Sequence, residues 1–305
     1  MTSTYHPGER AAQAKAGLRA EAERVGGIVR TAVPPAAAEF LLEQPMLVIA
    51  AADEQGRMWA SLLTGVPGFL RAGVLADRDV VDVAARPLPS DPLAPALTHR
   101  ARLGAIAIDP ATRRRMRING VAEPTPEGLR ITADQVYANC PKYIQRRIVE
   151  AVSPSGAAGE AIVSDSLSPA DRRMITEADT FFIATASATG DADASHRGGD
   201  PGFVRVAPDG ALTWPDYPGN AMMMTLGNLE QIPAAGLLFV DWSTGTTLQL
   251  TGAGQVEWAT SDRRLRFRPD QVRRATLASP LRWSAPEYSR FNPPVATENL
   301  SGDCG

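Results

Sequence analysis

Two stretches of the sequence decide the fold: Ala60-Ser61-Leu62-Leu63-Thr64-Gly65-Val66-Pro67-Gly68-Phe69 and Ala194-Ser195-His196-Arg197-Gly198-Gly199-Asp200-Pro201-Gly202-Phe203. They share Ala-Ser, a glycine and Pro-Gly-Phe at a constant separation of 134 positions, as from Ser61 to Ser195. Further along the chain, Gly104–Asp109 resembles Gly236–Asp241, in the same order and at nearly the same separation. An ordered series of such matches is typical of a repeated unit. The sequence therefore predicts a tandem duplication.

Each copy consists of short apolar segments separated by turns. In the second copy, Ser168-Pro169-Ala170-Asp171 has the capping serine, proline and early acid of a helix start. The apolar segment Thr180–Ala184 follows, and Asp241–Gly245 has the composition of a hairpin turn. Six or so short strands per copy, with few helices, indicate a small closed or nearly closed antiparallel barrel. Two barrels in one chain are expected to pack together as a pseudo-dimer.

The expected organisation of the 305 residues has five parts. They are an N-terminal arm over 1–32 with a helix from Glu9 to Arg24, a first barrel over 33–152, a linker over 153–166, a second barrel over 167–290 and a tail over 291–305.

The composition excludes several classes of protein. A net charge of −3 gives no reason to expect a nucleic-acid partner, and no apolar run is long enough for a membrane span. The start of the chain lacks the pattern of a secretory signal, so a cytoplasmic location is predicted. Cys140 and Cys304, with three histidines, predict neither a disulfide framework nor a structural zinc site. Dinucleotide-binding and Ser-His-Asp motifs are absent, which disfavours dinucleotide-fold enzymes and hydrolases.

The two copies differ where a ligand site is expected. Leu62–Val66 of the first copy is apolar, whereas His196–Asp200 of the second is polar. Ser195, Arg197 and Gly198 offer the hydroxyl, guanidinium and backbone donors that suit a phosphate. The alternative is a polar surface loop. His196 is a candidate acid–base group or iron ligand, although a lone histidine is usually neither.

A second candidate segment is Ala221–Gly227, which is predicted to form a short helix capped by Asn220. Its N-terminal amides would then face an anion, which Thr225 would also reach. The methionines 222–224 are more often core residues than cofactor contacts. The helix itself carries no cation.

Three other features receive structural interpretations. The run Arg113–Arg117 is expected to lie on a solvated or interface strand, rather than to form a nucleic-acid patch. Cys140 is expected to be structural, although a thiol at a helix start can be activated. Lys142 and Tyr143 are expected to face the partner barrel.

Taken together, these motifs resemble the pyridoxamine 5′-phosphate oxidase-like, FMN-binding split-barrel family in its tandem two-barrel form. The resemblance is carried by Tyr5–Glu9, Trp59–Phe69, Asn139–Gln145, Ala194–Phe203, Pro215–Asn220 and Thr225–Asn228. It implies a mainly β fold with flanking helices, in which two tandem split β-barrels form an intrachain pseudo-dimer.

The resemblance also implies a cofactor. FMN would lie between the barrels, with its isoalloxazine ring towards Cys140–Gln145, in an FMN-dependent oxidoreductase acting on a small molecule with a reductase or other electron donor. The alternative is a non-catalytic flavin or haem protein with His196 as the iron ligand. One site per chain is expected, and a further homodimer is left open. The candidate cofactor-binding residues are Ser195, Arg197, Gly198, Arg205, Asn220, Thr225 and Lys142.

Overall fold

The computed structural model describes residues 4–138, 141–153, 159–259 and 263–295. Its N-terminal arm contains two helices, α1 (Pro7–Lys15) and α2 (Arg19–Gly26), rather than the single helix predicted from Glu9 to Arg24. Between them, Gly17 has a φ of 69°, which a right-handed helix does not tolerate. The arm therefore bends at this glycine.

The first half of the chain forms helix α3 and one seven-stranded antiparallel sheet. The strands pair in the order β2-β1-β5-β6-β7-β4-β3. The elements are α3 (Pro35–Glu43), β1 (Met46–Ala52), β2 (Met58–Thr64), β3 (Leu70–Leu75), β4 (Arg78–Val83), β5 (Ala101–Asp109), β6 (Arg114–Pro124) and β7 (Leu129–Ala138).

The rest of the chain repeats this arrangement. After β8 (Val149–Val152) and β9 (Ile162–Ser164), the elements are α4 (Pro169–Glu177), β10 (Thr180–Ala186), β11 (Ala192–Gly198), β12 (Arg205–Val206), β13 (Leu212–Pro215), α5 (Met224–Leu229), β14 (Ala234–Val240), β15 (Thr247–Trp258), β16 (Arg263–Ala275) and β17 (Leu281–Trp283). Strands of the second sheet pair in the order β11-β10-β14-β15-β16-β13-β12. This order matches that of the first sheet strand for strand, which confirms the duplication and the mainly β fold class.

Two short strands connect the halves. The strand β9 lies within the predicted linker and pairs with β16, while β8 pairs with β17 near the end of the second half. Both copies are therefore tied together by backbone hydrogen bonds, and the predicted domain boundaries stay a prediction. Residues 154–158 of the linker, both cysteines and residues 296–305 of the tail lie outside the described residues.

Alternation along the strands builds three apolar cores. On β1, Leu47 and Ile49 point into the first barrel, whereas Met46 and Val48 point towards the second half. On β10, Phe181 lies in the core of the second barrel, while its neighbour Phe182 lies in the core between the barrels. Both strands are consequently buried on both faces. The chain folds as two barrels with a shared apolar interface.

Equivalent glycines mark where the barrels approach most closely. A Cβ at Gly104 would lie 2.6 Å from the Cα of Asp193, and one at Gly236 would lie 2.6 Å from the Cα of Trp59. Gly104 thus meets β11 of the second copy and Gly236 meets β2 of the first, and these two strands are equivalent in the repeat. Such reciprocal contacts are the property of a two-fold interface. The structure therefore forms a pseudo-dimer within one chain.

The N-terminal arm packs on the second barrel. A Cβ at Gly8 of α1 would lie 2.1 Å from the carbonyl oxygen of Gly227 in α5, so the two helices touch through glycine. The hydroxyl of Tyr5 donates to the carbonyl of Ala22, which fixes α2 beside the start of the arm. In the described ranges, no helix combines the length and the apolar character that crossing a membrane requires.

Candidate functional site

A cavity of about 110 Å³ lies between the barrels, at the end of β11. One wall comes from Ser195–Gly198 and the segment 215–226 of the second half. The opposite wall comes from the first half, where β6 contributes Arg115 and Arg117 and the segment after β7 contributes Lys142 and Tyr143. The site therefore needs both halves of the chain.

The pleat of β11 sends its side chains in two directions. Ser195 and Arg197 pair in register with Ile183 and Phe181, which face the core of the second barrel. His196 lies opposite Phe182, which faces the first barrel. The serine and arginine are thus placed at the end of the second barrel, and the histidine at the interface.

The two predicted hydroxyl ligands bind each other. The Oγ1 of Thr225 donates to the Oγ of Ser195 at 2.9 Å, and Ser195 donates in turn to Oδ2 of Asp193 at 2.7 Å. Each hydroxyl has one proton to donate. Both protons are therefore used within the protein, so these hydroxyls position the end of β11 and leave donation to an anion to other groups.

Cationic side chains dominate the cavity wall. Arg115, Arg117, Arg197 and Lys142 line it, and its one acid among the described residues is Asp216, which is paired with Arg263 at 3.0 Å. Nη1 of Arg197 donates to the carbonyl oxygen of His196 at 3.1 Å, while its Nε is buried with no hydrogen-bond partner in the described part of the chain. Burial lowers the pKa of Arg197, an effect that the nearby Asp216 opposes. A half-buried guanidinium with a buried, unused donor favours an anionic ligand.

The segment before α5 differs from the prediction. The helix begins at Met224 rather than at Ala221, and Asn220 does not cap it. Instead Oδ1 of Asn220 accepts from the amide of Met222. Ala221 and Met223 have a φ of 62°, which residues with a Cβ rarely adopt, at a cost of roughly 1–3 kcal/mol each. The predicted helix cap was therefore wrong, and a strained loop lines the cavity in its place.

His196 is held as a neutral hydrogen-bond acceptor. Nη1 of Arg115 lies 2.8 Å from Nδ1 of His196, and the arginine can only donate, so the histidine proton resides on Nε2. Burial, followed by the adjacent guanidinium groups of Arg115 and Arg197, lowers the pKa of His196 well below its usual range. The imidazole is therefore uncharged at neutral pH and bridges the two halves.

Gly198 has a packing role. A Cβ at this position would lie 1.9 Å from the carbonyl oxygen of Tyr143, so only glycine lets the first-half segment approach β11. The ring centroids of Tyr143 and Tyr217 are 5.2 Å apart, and Tyr143 donates to the carbonyl of Pro218. These contacts close one side of the cavity with a residue from each half.

The structure brings most of the predicted site together. Arg205 is the exception: it lies on β12 and is not among the residues that line this cavity, so its role in cofactor binding stays a prediction. The predicted residues that do line the cavity are Lys142, Ser195, His196, Arg197, Gly198, Asn220 and Thr225.

Residues 167–281 match the family model described as "Pyridoxamine 5'-phosphate oxidase". The second barrel of the chain is thus similar to the pyridoxamine 5′-phosphate oxidase family over nearly its whole length. No curated protein matches the sequence. The first half repeats the strand order of the matched half, so the chain is a tandem split-barrel protein.

Solved structures with a similar fold align with little more than one barrel. A putative pyridoxamine 5'-phosphate oxidase from Lactobacillus delbrueckii is 12% identical and covers 36% of this chain and 94% of its own, with a TM-score of 0.30. The heme storage protein HutZ from Vibrio cholerae is 12% identical, with 42% and 99% covered and a TM-score of 0.28. An FAD binding protein from Mycobacterium smegmatis is 11% identical, with 38% and 97% covered and a TM-score of 0.27. Likenesses this weak do not assign a function.

The first split barrel contains the counterpart of the site in a closed form. Ser61, which corresponds to Ser195, donates to Oδ1 of Asp91 at 2.7 Å. Gln249, which occupies on β15 the place of Arg117 on β6, donates to Oδ2 of the same carboxylate at 3.0 Å. Leu62 and Leu63 stand where the second barrel has His196 and Arg197. An internal carboxylate thus fills the position in the first barrel where the second barrel has its cationic cavity.

Arg115 and Arg117 are the site residues that the sequence interpretation missed. The run Arg113–Arg117 was assigned to a solvated or interface strand, and β6 is indeed an interface strand. A comparison of the two copies would have identified them, because the positions that match Arg115 and Arg117 are the uncharged Thr247 and Gln249 of β15. At these two positions only the first copy therefore has arginines.

Proposed function

We propose that this chain is an FMN-binding flavoprotein that acts as an FMN-dependent oxidoreductase on a small molecule. The observation that carries the proposal is the cationic cavity between the barrels. Among the described residues, four cations line it, of which Arg117 is paired with Asp193, and its single acid is paired with Arg263. The buried Nε of Arg197 has no hydrogen-bond partner in the same part of the chain. A phosphate supplies the negative charge and the acceptor oxygens that this arrangement lacks.

The residues around the cavity fit the phosphate of FMN. Arg197 and Arg115 would provide the charge-assisted hydrogen bonds, while Ser195 and Thr225 hold the end of β11 in place. The strained loop at Ala221 and Met223 lines the cavity, and left-handed residues are among the backbone conformations that form anion-binding concavities. A volume of about 110 Å³ has room for a phosphate but not for the isoalloxazine ring.

A second cavity supports a place for the ring. It has a volume of about 760 Å³, lies on the side of the first barrel and shares Arg115 with the cationic cavity. Phe40, Met116 and Pro141 contribute to its largely apolar wall. An elongated ligand with an anionic end and a flat apolar end matches this pair of cavities. When bound, the flavin supplies two-electron transfer, and the protein supplies binding, orientation and exclusion of water.

The haem alternative has less support. An iron ligand needs a lone pair on the free nitrogen of the imidazole, but the donation from Arg115 to Nδ1 leaves the proton of His196 on Nε2. If haem is nevertheless the cofactor, the purified protein will take up haem with a Soret band that shifts in His196→Ala. The absence of that band, together with binding of flavin, supports the FMN proposal.

The test of FMN binding is a fluorescence titration with FMN and with riboflavin, which lacks the phosphate. We expect FMN to bind more tightly, and Arg197→Gln to lower its affinity roughly 10- to 100-fold, the loss expected for one charge-assisted hydrogen bond. Riboflavin affinity should change little. Arg205→Gln is the matched control, because Arg205 lies on the same barrel outside the cavity. Equal affinity for FMN and riboflavin in the unaltered protein would refute the phosphate assignment.

A second measurement separates an oxidoreductase from a flavin carrier. The FMN-loaded protein is mixed anaerobically with NADH or NADPH, and the flavin absorbance is followed. Bleaching that returns with an added electron acceptor supports an oxidoreductase. Tight binding of FMN without reduction by any donor tested supports the non-catalytic carrier.

A further inference from the structure

A different cavity, of about 320 Å³, lies between the N-terminal arm and the two barrels; we call it the arm cavity. Its wall is formed by the start of α1, by the middle of β6 and β7, by the turn before β11 and by α5. Met224 and the Arg117–Asp193 ion pair separate it from the cationic cavity. The arm cavity is therefore a distinct compartment, and a ligand can occupy it whether or not FMN is bound.

Three buried residues of its wall have an unused side-chain oxygen. Glu9, Asn119 and Asn228 are at most 6% exposed. Oε1 of Glu9, Oδ1 of Asn119 and Oδ1 of Asn228 have no hydrogen-bond partner among the described residues. An unsatisfied buried acceptor costs about 1–3 kcal/mol. Three such atoms around one cavity indicate a group that donates hydrogen bonds there.

The other polar atoms of these residues are already engaged, which fixes their orientation. Oε2 of Glu9 accepts from the backbone amide of His6 at 2.9 Å. The amide nitrogen of Asn119 faces Oδ1 of Asp193, which can only accept, so its oxygen must point elsewhere. The amide nitrogen of Asn228 donates to Thr185 at 2.9 Å. These three oxygens therefore lack a donor, and Nε2 of His6, which carries the ring proton because Nδ1 accepts from the amide of Gly8, is a buried donor on the same wall.

The acids around the cavity differ in whether they have a paired cation. Asp193 is paired with Arg117, Asp191 with Arg102 and Asp134 with Arg78, all within 3.1 Å. Within the described ranges, the carboxylate of Glu9 has only His6 as an ion-pair partner, at 3.6 Å, and burial lowers the pKa of that histidine so that it is uncharged at neutral pH. Glu9 is thus the acid of this wall that lacks a paired cation.

We propose that the arm cavity binds the ammonium group of a primary alkylamine, with Glu9, Asn119 and Asn228 as its hydrogen-bond acceptors. A primary ammonium carries three N–H donors and one positive charge. The wall offers three unmatched oxygens and one unpaired acid. The volume of about 320 Å³ exceeds the space of a bare metal ion and leaves room for a short alkyl chain.

Binding of the amine should release a proton. Burial raises the pKa of Glu9 to about 8, and the ammonium requires its ionised form. Calorimetry in two buffers of different ionisation enthalpy at neutral pH measures this release. The other titratable or charged groups facing Glu9 or lining the cavity are Tyr5, His6, Arg117, Asp134, Tyr137, Asp191 and Asp193.

The experiment titrates the full chain with n-butylammonium chloride, using butyltrimethylammonium and 1-butanol as probes that lack the N–H donors or the charge. We expect only n-butylammonium to bind, with release of a proton. Glu9→Gln, which keeps the acceptor for the amide of His6, should weaken binding at least about tenfold and abolish proton release. Glu21→Gln, on the exposed face of α2, is the matched control.

Three outcomes would overturn the assignment: no binding of n-butylammonium at millimolar concentration, equal binding of butyltrimethylammonium, or unchanged affinity in Glu9→Gln. The probe comparison is made on the unaltered protein, so it decides the question even if Glu9→Gln fails to fold. If Arg197→Gln loses FMN binding but still binds n-butylammonium, the arm cavity binds its ligand independently of the cationic cavity.

Discussion

Arg117 of the first barrel and Asp193 of the second form an ion pair across the barrel interface, with 3.1 Å between Nη1 and Oδ1. Their side chains are only 10% and 1% exposed. Asp193 also accepts from Ser195, so the pair connects the interface to the end of β11 that lines the cationic cavity. A charge buried at this place depends on its partner, because solvent cannot replace it.

We therefore expect Arg117→Met to lower the free energy of unfolding by about 3–5 kcal/mol, since it leaves the carboxylate of Asp193 buried and unpaired. The control is Arg102→Met. Arg102 pairs with Asp191 across the same two halves at 2.7 Å, but both side chains are about half exposed, so the loss should stay below about 1 kcal/mol. Urea denaturation measures both values, and similar losses would show that burial does not decide the strength of the pair.

The repeat made much of the fold predictable. Two copies of Ala-Ser, Gly and Pro-Gly-Phe in the same order required the same strand sequence twice, and the two sheets do pair in equivalent orders. The capping box at Ser168 and Asp171 was also predictable, because it depends only on residues that are neighbours in the sequence. By contrast, the pairing of β8 with β17 joins segments about 130 positions apart that have no matching motif. This pairing depends on how the two folded barrels pack together, which no local sequence pattern indicates.

The candidate site was predictable where one strand carries it. Ser195, His196, Arg197 and Gly198 are consecutive on β11, and their polar character differs from the apolar first copy. The roles of individual residues were not predictable. Ser195 and Thr225 use their protons on Asp193 and on each other, and the sequence does not indicate that these side chains meet. The shift of the α5 start to Met224 depends on two left-handed residues without glycine, which no local pattern indicates.

The contact between Gly8 and Gly227 leads to a prediction about the arm. Alanine favours a helix more than glycine does, so Gly8→Ala would stabilise an isolated α1. In the folded protein its Cβ would lie 2.1 Å from the carbonyl oxygen of Gly227. We expect the variant to lose about 1–3 kcal/mol of stability and to expose the arm to limited proteolysis. Gly27→Ala, at a site with open space and a φ of −68°, is the control. An arm that stays protected in Gly8→Ala would contradict the packing described for α1 and α5.

Glu9 leads to a prediction about pH. Burial raises the pKa of its carboxyl group from an ordinary value of 4.5 to about 8. Between these two values the folded protein binds more protons than the unfolded chain, so the stability provided by Glu9 decreases as the pH rises. We expect the melting temperature to fall across this window relative to that of Glu9→Gln, in which the position cannot ionise. Parallel melting curves from about pH 5 to pH 8 would show that the carboxyl group titrates normally in the folded protein.

The closed site of the first barrel supplies the last prediction. The carboxylate of Asp91 accepts from Ser61, from Gln249 and from the amide of Leu93 at 2.7–3.0 Å. Asp91→Ala would leave the hydroxyl of Ser61 and the amide of Leu93 without this acceptor, at a cost of about 1–3 kcal/mol each where water cannot enter, whereas Gln249 would keep the carbonyl of Ala60. A free carboxylate of similar size should restore these hydrogen bonds. We therefore expect sodium formate to raise the melting temperature of Asp91→Ala more than that of the unaltered protein.

Sodium chloride at equal ionic strength controls for the salt, and Asp241→Ala controls for the loss of a carboxylate. Asp241 accepts from Ser243 and Thr244 in an exposed hairpin turn, where water can take the place of the missing oxygens. Formate should therefore not rescue that variant. Rescue confined to Asp91→Ala would mean that both barrels retain an anion-binding position and that the first has filled it with its own side chain. If formate stabilises both variants equally, the donors around Asp91 do not form a specific anion site, and the asymmetry between the two barrels lies in the arginines of β6 and β11 alone.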